Sequence, residues 1–320
     1  MKRVLVADPI APAGEELLRK SVEVIRAPDS DPATIRSLAR DADGAIIRSK
    51  LPDDIFSVAP RLRAIAIHGT GTDLVPLADA SARGVMVSNI PGGNAQSVAE
   101  YCAMAMLMLA RNVVPIITSL RTGVWDSARN LGANAREIGA MTLGLVGVGE
   151  IGRRVARMCR LGFGMRVLGN QRRLDRLPPE AEPAALDVLL PDSDFVVVTC
   201  PLTPQTRHLF NKGKLELMKR TAWLINVGRG AVVQETALIS ALRERRIAGA
   251  MLDVYEHYRL PPNHALFGFD NVILTPHLAG MTRESRARMS VAAAEEVLRM
   301  LDGQPPRNFV NPEALSVAHR

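Results

Sequence analysis

Short apolar runs alternate with amphipathic stretches through the first hundred residues. Four runs are rich in small or β-branched apolar residues, and the segments between them, such as 32–40, place apolar residues at helical spacing. Strands that alternate with helices in this way are typical of a parallel α/β sheet. We therefore predict strands at residues 4–7, 45–47, 64–67 and 85–87.

A second alternation of the same kind begins at Met141. It follows a continuous apolar stretch, 98–112, which is typical of a long helix buried on most of its surface, and a polar stretch, 129–139. Six parallel strands make a complete dinucleotide-binding sheet. We predict these strands at 143–146, 166–168, 195–198, 223–226, 249–252 and 272–274, and a last helix at 284–302 before a proline-rich tail.

The composition is that of an ordinary globular protein. Of 320 residues, 47% are hydrophobic and 23% are charged, which excludes a disordered or collagen-like chain. The longest apolar run, 101–110, is too short to cross a bilayer, and the apolar stretch at the N-terminus stops at Asp8 without forming a signal peptide. We therefore expect a cytoplasmic protein with no membrane partner.

Cysteines and charged residues narrow the choice of ligand. Cys102, Cys159 and Cys200 stand far apart in apolar or helical surroundings, which indicates buried free thiols in a reducing compartment and no metal site. The net charge is +7, yet the arginines are scattered and aromatic residues make up only 4%. Grooves that bind nucleic acid usually combine clustered basic and aromatic residues. We expect anionic small molecules, and no nucleic acid, as ligands.

A glycine-rich loop follows the first strand of the second alternation. Gly147, Gly149 and Gly152 form a GxGxxG pattern between the strand at 143–146 and an amphipathic helix at 153–160. The first glycine permits a tight turn, the second lets the backbone approach a pyrophosphate, and the third lets helix and strand pack closely. The helix N-terminus adds partial positive charge. This loop predicts a dinucleotide cofactor.

The next strand ends in Gln171, Arg172 and Arg173, where an NAD-binding protein normally has an acidic residue for the ribose 2′-hydroxyl. Two guanidinium groups favour a 2′-phosphate instead. We therefore expect NADP rather than NAD as cofactor. The alternative is that both arginines only face solvent. Asp175 is the nearest acid, and in this interpretation it lies too far along the chain.

Three further segments follow predicted strands, at 225–230, 252–255 and 274–280. The carboxyl ends of parallel strands meet at the edge of the sheet where ligands bind. Arg229 can bind a carboxylate through two hydrogen bonds while it polarises a carbonyl, and His277 can deliver or accept a proton. Hydride transfer needs both groups and a nicotinamide. Together with the glycine loop, these segments predict a dehydrogenase.

In its motifs the chain resembles the D-isomer-specific 2-hydroxyacid dehydrogenases, which include phosphoglycerate dehydrogenases and glyoxylate/hydroxypyruvate reductases. The motifs are the glycine loop, the three segments above, and residues 68–73 (HGTGTD), 89–100 (NIPGGNAQSVAE) and 201–204 (PLTP). The resemblance implies an α/β protein with two Rossmann-like or flavodoxin-like parallel-sheet domains. It places a cofactor domain, 99–285, inside a substrate domain formed by 1–98 and 286–320, and it implies a homodimer held largely by the cofactor domains.

The resemblance also implies roles for individual residues. Arg229 binds the substrate carboxylate and keto oxygen, His277 is the acid and base, and Asp253 contacts the nicotinamide carboxamide. The substrate-binding positions are Arg48, Ser49, Lys50, Gly69, Thr70, Gly71 and Arg229. The cofactor-binding positions include the loop residues already described. The full set is Gly147, Gly149, Glu150, Ile151, Gly152, Gln171, Arg172, Arg173, Cys200, Pro201, Thr206, Val227, Gly228, Asp253, His277 and Gly280.

One position departs from the family pattern. A glutamate normally hydrogen-bonds the catalytic histidine, but an ungapped alignment places Tyr258 there. A carboxylate stabilises imidazolium and raises its pKa, whereas a tyrosine hydroxyl can orient the ring but adds no charge. We therefore expect His277 to protonate less readily and reductase activity to rise toward acidic pH. Alternatives are that Glu256 or His257 takes the role after a local shift, or that catalysis is impaired.

We interpret the chain as an NAD(P)-dependent 2-hydroxyacid dehydrogenase. Glyoxylate and hydroxypyruvate are the leading substrates, because the arginine-rich loops favour small anions. The first alternative is an NAD-dependent 3-phosphoglycerate dehydrogenase, in which Arg48 and Lys50 face the distal phosphate. The second is a dinucleotide-binding sensor, in which Tyr258 marks lost catalysis.

Overall fold

The computed structural model describes residues 1–318 and divides the chain into two compact units. Unit 1 consists of Met1–Asn94 and Met281–Arg320, and unit 2 consists of Ala95–Gly280. The boundaries predicted from the sequence, after residues 98 and 285, lie a few residues further along the chain. Each unit is an α/β domain built on one parallel sheet, as predicted.

The strands and helices follow one another through both units. In chain order the strands are β1 (Arg3–Val6), β2 (Glu23–Arg26), β3 (Gly44–Ile47), β4 (Ala64–Ile67), β5 (Met86–Ser88), β6 (Thr142–Val146), β7 (Arg166–Asn170), β8 (Glu182–Pro183), β9 (Phe195–Val198), β10 (Trp223–Asn226), β11 (Gly249–Leu252) and β12 (Val272–Leu274). The helices are α1 (Pro12–Arg19), α2 (Pro32–Ala39), α3 (Ile55–Val58), α4 (Leu77–Ala82), α5 (Ala95–Ala110), α6 (Val113–Leu120), α7 (Trp125–Asn130), α8 (Glu150–Arg157), α9 (Leu186–Asp192), α10 (Lys212–Leu217), α11 (Glu235–Arg243), α12 (Arg283–Leu301) and α13 (Leu315–Ala318).

Unit 1 has a five-stranded sheet in the order β2-β1-β3-β4-β5, with every pair parallel. All residues of β3 and β4 are buried, because helices cover both faces of the sheet. One face packs against Ile35 and Phe56, and the other against Ala293 and Val297 of α12. The apolar runs of these strands are therefore continuous rather than alternating.

Unit 2 has a seven-stranded parallel sheet in the order β12-β11-β10-β9-β6-β7-β8. The strand order reverses between β6 and β9, and a sheet of this type binds its ligand at that point, beyond the carboxyl ends of the strands. Helices α5 and α8 pack on one face, and α9 to α11 on the other. The carboxyl edge of this sheet therefore carries the glycine loop and the three segments singled out in the sequence.

The sequence pattern misses two strands, β2 and β8. Both lie at an edge of their sheet, and they lack the long buried apolar run that identifies the inner strands. The helix predicted at 153–160 begins at Glu150 and ends at Arg157, where a π-helical turn, Met158–Gly162, continues the chain. Within the proline-rich tail, α13 forms a short helix that the sequence pattern does not predict.

The long apolar helix also differs from the prediction. Helix α5 ends at Ala110, because Asn112 adopts a left-handed backbone conformation with φ of 51°, and the unpredicted helix α6 follows at an angle of 61°. Among residues 1–318, no single helix is both long and apolar enough to cross a membrane. Helices α5 and α6 are long and apolar enough only when they are taken together, and the chain bends between them.

Candidate functional site

The glycine loop turns tightly between β6 and α8. Gly147 has a φ of +92°, a conformation that favours glycine, and a Cβ there would lie 2.5 Å from the backbone nitrogen of Cys200. A Cβ on Gly152 would lie 2.5 Å from the carbonyl oxygen of Gly147, whereas one on Gly149 would meet no atom within 4 Å. Packing thus requires the first and third glycines, and the second leaves open space. This geometry fits a pyrophosphate at the N-terminus of α8.

The ends of β9 and β10 meet the glycine loop at the point where the strand order reverses. A Cβ on Gly228 would lie 2.8 Å from the carbonyl oxygen of Cys200, so these backbones touch. The hydroxyl of Thr206 donates to the carbonyl oxygen of Pro201 at 2.7 Å. Burial raises the pKa of the Cys200 thiol to about 11, so the thiol that lines the site is uncharged at physiological pH. Of the other predicted cofactor residues, Glu150 and Ile151 open α8, Val227 follows β10, and Gly280 is the last residue of unit 2.

The loop after β7 carries the residues predicted to choose between NADP and NAD. The Gln171 side chain donates to the carbonyl oxygen of Arg173 at 2.8 Å. Arg173 forms an exposed ion pair of 2.8 Å with Asp175, and the hydrogen bond from this arginine lowers the pKa of that carboxyl. The Asp175 carboxylate thus reaches back to Arg173 and neutralises its charge. That Asp175 lies too far along the chain to bind the ribose stays a prediction. Arg172 is exposed and makes no ion pair within residues 1–318.

Asp253 organises the turn that carries His277. The carboxylate of Asp253 is buried and accepts hydrogen bonds from the hydroxyl of Thr275 at 2.7 Å and from the amides of Leu278 and Ala279 at 2.8 and 2.9 Å. The His277 amide donates to the carbonyl oxygen of Asp253 at 2.9 Å, and His277 itself has a left-handed φ of 54°. These contacts fix the turn and leave the His277 side chain at the surface.

Arg229 follows β10 in a turn that Asn226 stabilises. The buried Asn226 side chain accepts from the amide of Gly228 at 3.1 Å and donates to the carbonyl oxygen of Arg229 at 3.1 Å. The Arg229 guanidinium donates to the carbonyl oxygen of Gly228 at 3.0 Å and is partly exposed. Since β10, β11 and β12 are adjacent and parallel, Arg229, Asp253 and His277 all lie at the same sheet edge.

Tyr258 lies beside the imidazole of His277. The two ring centroids are 5.9 Å apart with an interplanar angle of 68°, an edge-on arrangement. The Tyr258 side chain is 62% exposed. Glu256, the nearby acid that the sequence left as an alternative, has partners for both carboxylate oxygens: His208 Nε2 at 2.6 Å and the Glu235 amide at 3.1 Å. Glu256 is therefore already engaged in a different network.

In unit 1, Asp8 supports the segment that contains Arg48, Ser49 and Lys50. Its carboxylate accepts from the amides of Arg48 and Ser49 at 2.8 and 2.9 Å and from the Ser49 hydroxyl at 2.6 Å. Lys50 instead pairs with Asp53 at 2.9 Å, and both of these side chains are exposed. Asp8 was not among the predicted site residues, although its position directly after the first apolar run was a usable signal.

The second predicted substrate segment, Gly69 to Gly71, follows β4. The Asn89 side chain donates to the carbonyl oxygen of Thr70 at 2.5 Å, and the Ile90 amide donates to that of Gly69 at 2.8 Å. The preceding His68 is buried, and its Nε2 lies 2.9 Å from the Ser290 hydroxyl. Burial, assisted by the nearby Arg48, lowers the pKa of His68 to about 4, so this histidine is neutral at physiological pH. Asn89 and His68 support this segment from within unit 1.

Comparison with known proteins connects these sites to a family. Residues 103–279 match the sequence model of the family described as D-isomer specific 2-hydroxyacid dehydrogenase, NAD binding domain. A glyoxylate reductase from Aeropyrum pernix is 40% identical over 98% of this chain and 97% of its own length. A D-3-phosphoglycerate dehydrogenase from Methanocaldococcus jannaschii is 33% identical over 97% of this chain, which spans only 60% of that relative.

The chain is also similar to solved structures, one of which is a reductase for small 2-keto acids. The crystal structure of an NADPH-dependent glyoxylate/hydroxypyruvate reductase from Sinorhizobium meliloti is 31% identical, with a TM-score of 0.85. The match covers 98% of this chain and 99% of that one. A protein from Thermus thermophilus matches with a TM-score of 0.87 at 35% identity, over 96% of this chain and 99% of that one.

Proposed function

Because this chain belongs to the D-isomer specific 2-hydroxyacid dehydrogenase family, we propose that it reduces glyoxylate or hydroxypyruvate with NADPH. It is an NAD(P)-dependent oxidoreductase that acts on small 2-keto and 2-hydroxy acids. The observation that carries the proposal is the common sheet edge: the glycine loop, the Arg229 turn and the His277 turn all follow parallel strands of one sheet. The similarity to glyoxylate reductases over nearly the full chain supports the choice of substrate.

In our proposal the side chains at this edge have separate roles in the reaction. The Arg229 guanidinium binds the substrate carboxylate and polarises the keto group, as a planar donor with several N–H groups can. His277 donates a proton to the keto oxygen, and the buried Asp253 carboxylate holds the His277 turn in place. The hydride for the keto carbon would come from the nicotinamide of NADPH when the cofactor is bound. Tyr258 lies against the imidazole and orients it without adding charge.

We propose that the residues of the predicted set hold the cofactor. The open space at Gly149 and the N-terminus of α8 accommodate the pyrophosphate, while Cys200, Pro201 and Gly228 line the neighbouring strand ends. We propose that Asp253, besides holding the His277 turn, contacts the nicotinamide carboxamide. Thr206, Val227 and Gly280 complete this proposed set.

Arg172 supports the preference for NADPH over NADH. It is exposed at the end of β7, and no carboxylate pairs with it among residues 1–318, so it can pair with a 2′-phosphate. Arg173 contributes less in our proposal, because Asp175 already neutralises it. The reductase from Sinorhizobium meliloti, which has the same fold, is NADPH-dependent.

In unit 1 we propose that Arg48, Ser49, Lys50 and the amides of Gly69, Thr70 and Gly71 contribute to substrate binding. The proposal is supported by the hydrogen bonds that fix the backbone of both segments. Asp8 fixes the first segment and Asn89 the second, so their backbone amides are held in place. Lys50 pairs with Asp53 at the surface, so the distal phosphate of 3-phosphoglycerate would have to compete with this carboxylate for Lys50.

We also propose that the protein forms a homodimer through α5, α6 and α7. Large apolar side chains are exposed along these helices, and isolated monomers rarely leave such a surface open. They are Met104, Leu107, Val114, Ile117, Leu120, Val124, Trp125 and Leu131.

We further propose a cytoplasmic location. The three buried free cysteines support a reducing environment of this kind.

The direct test is cofactor oxidation by the purified protein with glyoxylate, hydroxypyruvate, pyruvate, phenylpyruvate and 3-phosphohydroxypyruvate between pH 5 and 8. We expect turnover of glyoxylate and hydroxypyruvate with NADPH, faster than with NADH. Turnover of 3-phosphohydroxypyruvate alone, or binding of NADPH without turnover of any 2-keto acid, would contradict the proposal. Analytical ultracentrifugation checks the dimer, and Trp125→Glu is expected to shift it to monomer.

A further inference from the structure

A cluster of two histidines and two glutamates lies within unit 2, next to the segment that carries Tyr258. We call His208, Glu235, Glu256 and His264 the His–Glu cluster. His208 Nε2 lies 2.6 Å from Glu256 Oε1, and His264 Nε2 lies 2.9 Å from Glu235 Oε1. Within residues 1–318, no group of His, Cys, Asp or Glu side chains has the arrangement of a metal site. The cluster therefore needs a different explanation.

The two glutamates bind each other's backbone. Glu256 Oε2 accepts from the Glu235 amide at 3.1 Å, and Glu235 Oε2 accepts from the Glu256 amide at 3.4 Å. Glu235 is the first residue of α11, so both carboxylates lie at a helix N-terminus, where negative charge is stabilised. The cluster thus joins the segment after β11 to the start of α11 at two points.

The two histidines join further parts of the chain to the glutamates: His208 connects to the Arg229 turn, and His264 fixes the end of the segment after β11. His208 has a left-handed φ of 53°, and its amide donates to the carbonyl oxygen of Ala231, directly after the Arg229 turn. His264 Nδ1 accepts from the amide of Leu266 at 3.3 Å, so the proton of this neutral ring is on Nε2, which donates to Glu235. His264 and Glu235 expose only 14% and 13% of their side chains. The segment 255–264 is therefore held at both of its ends.

This segment contacts both catalytic turns. A Cβ on Gly230 would lie 1.8 Å from the backbone carbonyl of Tyr255, so the residue after Arg229 packs directly on the segment. The Tyr255 hydroxyl donates to the carbonyl oxygen of Thr275 at 2.8 Å, two residues before His277. Further along, the Tyr258 ring meets the His277 ring.

We infer that Glu256 is a positioning residue. The His–Glu cluster holds the segment 255–264 so that its backbone supports the Arg229 turn and its Tyr258 ring lies against His277. This inference rests on the proposed function for its kinetic consequence, but the placement of Tyr258 can be measured without turnover. The family resemblance gives Glu256 no catalytic role, and the structure shows its carboxylate fully engaged in anchoring.

The test combines NMR with kinetics. In protein labelled at its six histidines, the His277 ring signal is assigned from its loss in a His277→Asn variant, and Tyr258→Leu gives its position without a neighbouring aromatic ring. We expect the signal in Glu256→Ala to move most of the way toward the Tyr258→Leu position. The control is Asp270→Asn, which breaks the exposed ion pair with Arg245 in the same unit and is expected to leave the signal unchanged.

In the kinetic arm, Glu256→Ala is expected to lower kcat for the 2-keto acid by about 10- to 100-fold, because small misplacements of catalytic groups are costly. The dissociation constant for NADPH is expected to change less than about twofold, since the glycine loop is not part of the segment. If Glu256→Ala does not fold, Glu256→Gln and His208→Asn each remove one contact and are expected to move the His277 signal part of the way.

An unchanged His277 signal in the folded variants would overturn the inference. So would equal losses of kcat in Glu256→Ala and Asp270→Asn, because general destabilisation would then explain both. If the wild-type protein turned over no 2-keto acid, the proposed function would fail, while the NMR comparison would still decide whether the cluster positions Tyr258.

Discussion

The glycine loop and the His277 turn lie at the same edge of one sheet, but they are built on different principles. In the loop, steric fit of the backbone decides: Gly147 and Gly152 leave no room for a Cβ. In the His277 turn, side chains decide: the Asp253 carboxylate holds the turn and Tyr258 borders the imidazole. A site built from backbone tolerates almost no substitution, whereas a site built from side chains can change its chemistry at one position. The departure from the family pattern accordingly lies in the second region.

The largest expected effect separates catalysis from cofactor binding. His277→Asn removes the proton donor and is expected to lower kcat/KM for glyoxylate by about 100- to 10,000-fold, the range for loss of a general acid. Fluorescence titration with NADPH is expected to show only a modest loss of affinity, because the glycine loop is untouched. His257→Asn, at an exposed histidine four residues beyond Asp253, is the comparison variant, and it also tests the alternative in which His257 orients His277. Full activity in His277→Asn, or an equal loss in His257→Asn, would assign the proton donor elsewhere.

The second prediction tests the backbone principle in the loop. A Cβ on Gly152 meets the Gly147 carbonyl oxygen at 2.5 Å, so Gly152→Ala is expected to weaken NADPH binding by about 10- to 100-fold, or roughly 1.4 to 2.8 kcal/mol, and to lower the Tm. Gly149→Ala meets no protein atom within 4 Å, so it is expected to weaken binding without lowering the Tm. Gly162→Ala, also in open space, is the neutral control. Equal Tm losses in Gly149→Ala and Gly152→Ala would contradict the separate roles of these glycines.

This contrast also explains which parts of the molecule could be predicted from the sequence. The strands β9 to β12 were predicted with their observed bounds, and β9 and β11 are continuous, fully buried apolar runs. The edge strands β2 and β8 were missed because short strands with exposed residues resemble loops. The glycine loop was predictable because its spacing encodes steric requirements. The His–Glu cluster was not, because it joins residues up to 48 positions apart that only the fold brings together.

A third, intermediate case is the loop after β7, where side chains choose the cofactor. Arg172→Ala is expected to lower the ratio of kcat/KM for NADPH to that for NADH by about tenfold, because a charge-assisted hydrogen bond to a phosphate contributes roughly 1.5 to 3 kcal/mol. Arg173→Ala is expected to have a smaller effect, since Asp175 already pairs with Arg173. Steady-state kinetics with both cofactors checks this order. A larger effect for Arg173→Ala would reverse our assignment of the phosphate-binding arginine.

The smallest expected effect is a change in pH dependence at Tyr258. Reduction requires a protonated His277, so activity falls as pH rises. A carboxylate at position 258 would favour the imidazolium, and Tyr258→Glu is therefore expected to keep its activity to a pH about one unit higher than the wild-type protein. The pH profile of kcat/KM for glyoxylate between pH 5 and 9 measures this shift.

Two neutral variants separate charge from shape at this position. Tyr258→Gln introduces a polar side chain of the same length as glutamate but without charge, and its pH profile is expected to keep the wild-type position. Tyr258→Phe keeps the ring against His277 and removes only the hydroxyl, so it is expected to change kcat by less than about threefold, the scale of one net hydrogen bond. If the profiles of Tyr258→Glu and Tyr258→Gln coincided, the charge of the family glutamate would not control His277. The tyrosine would then have replaced only an orienting contact, and the two regions of this sheet edge would be equally fixed by geometry.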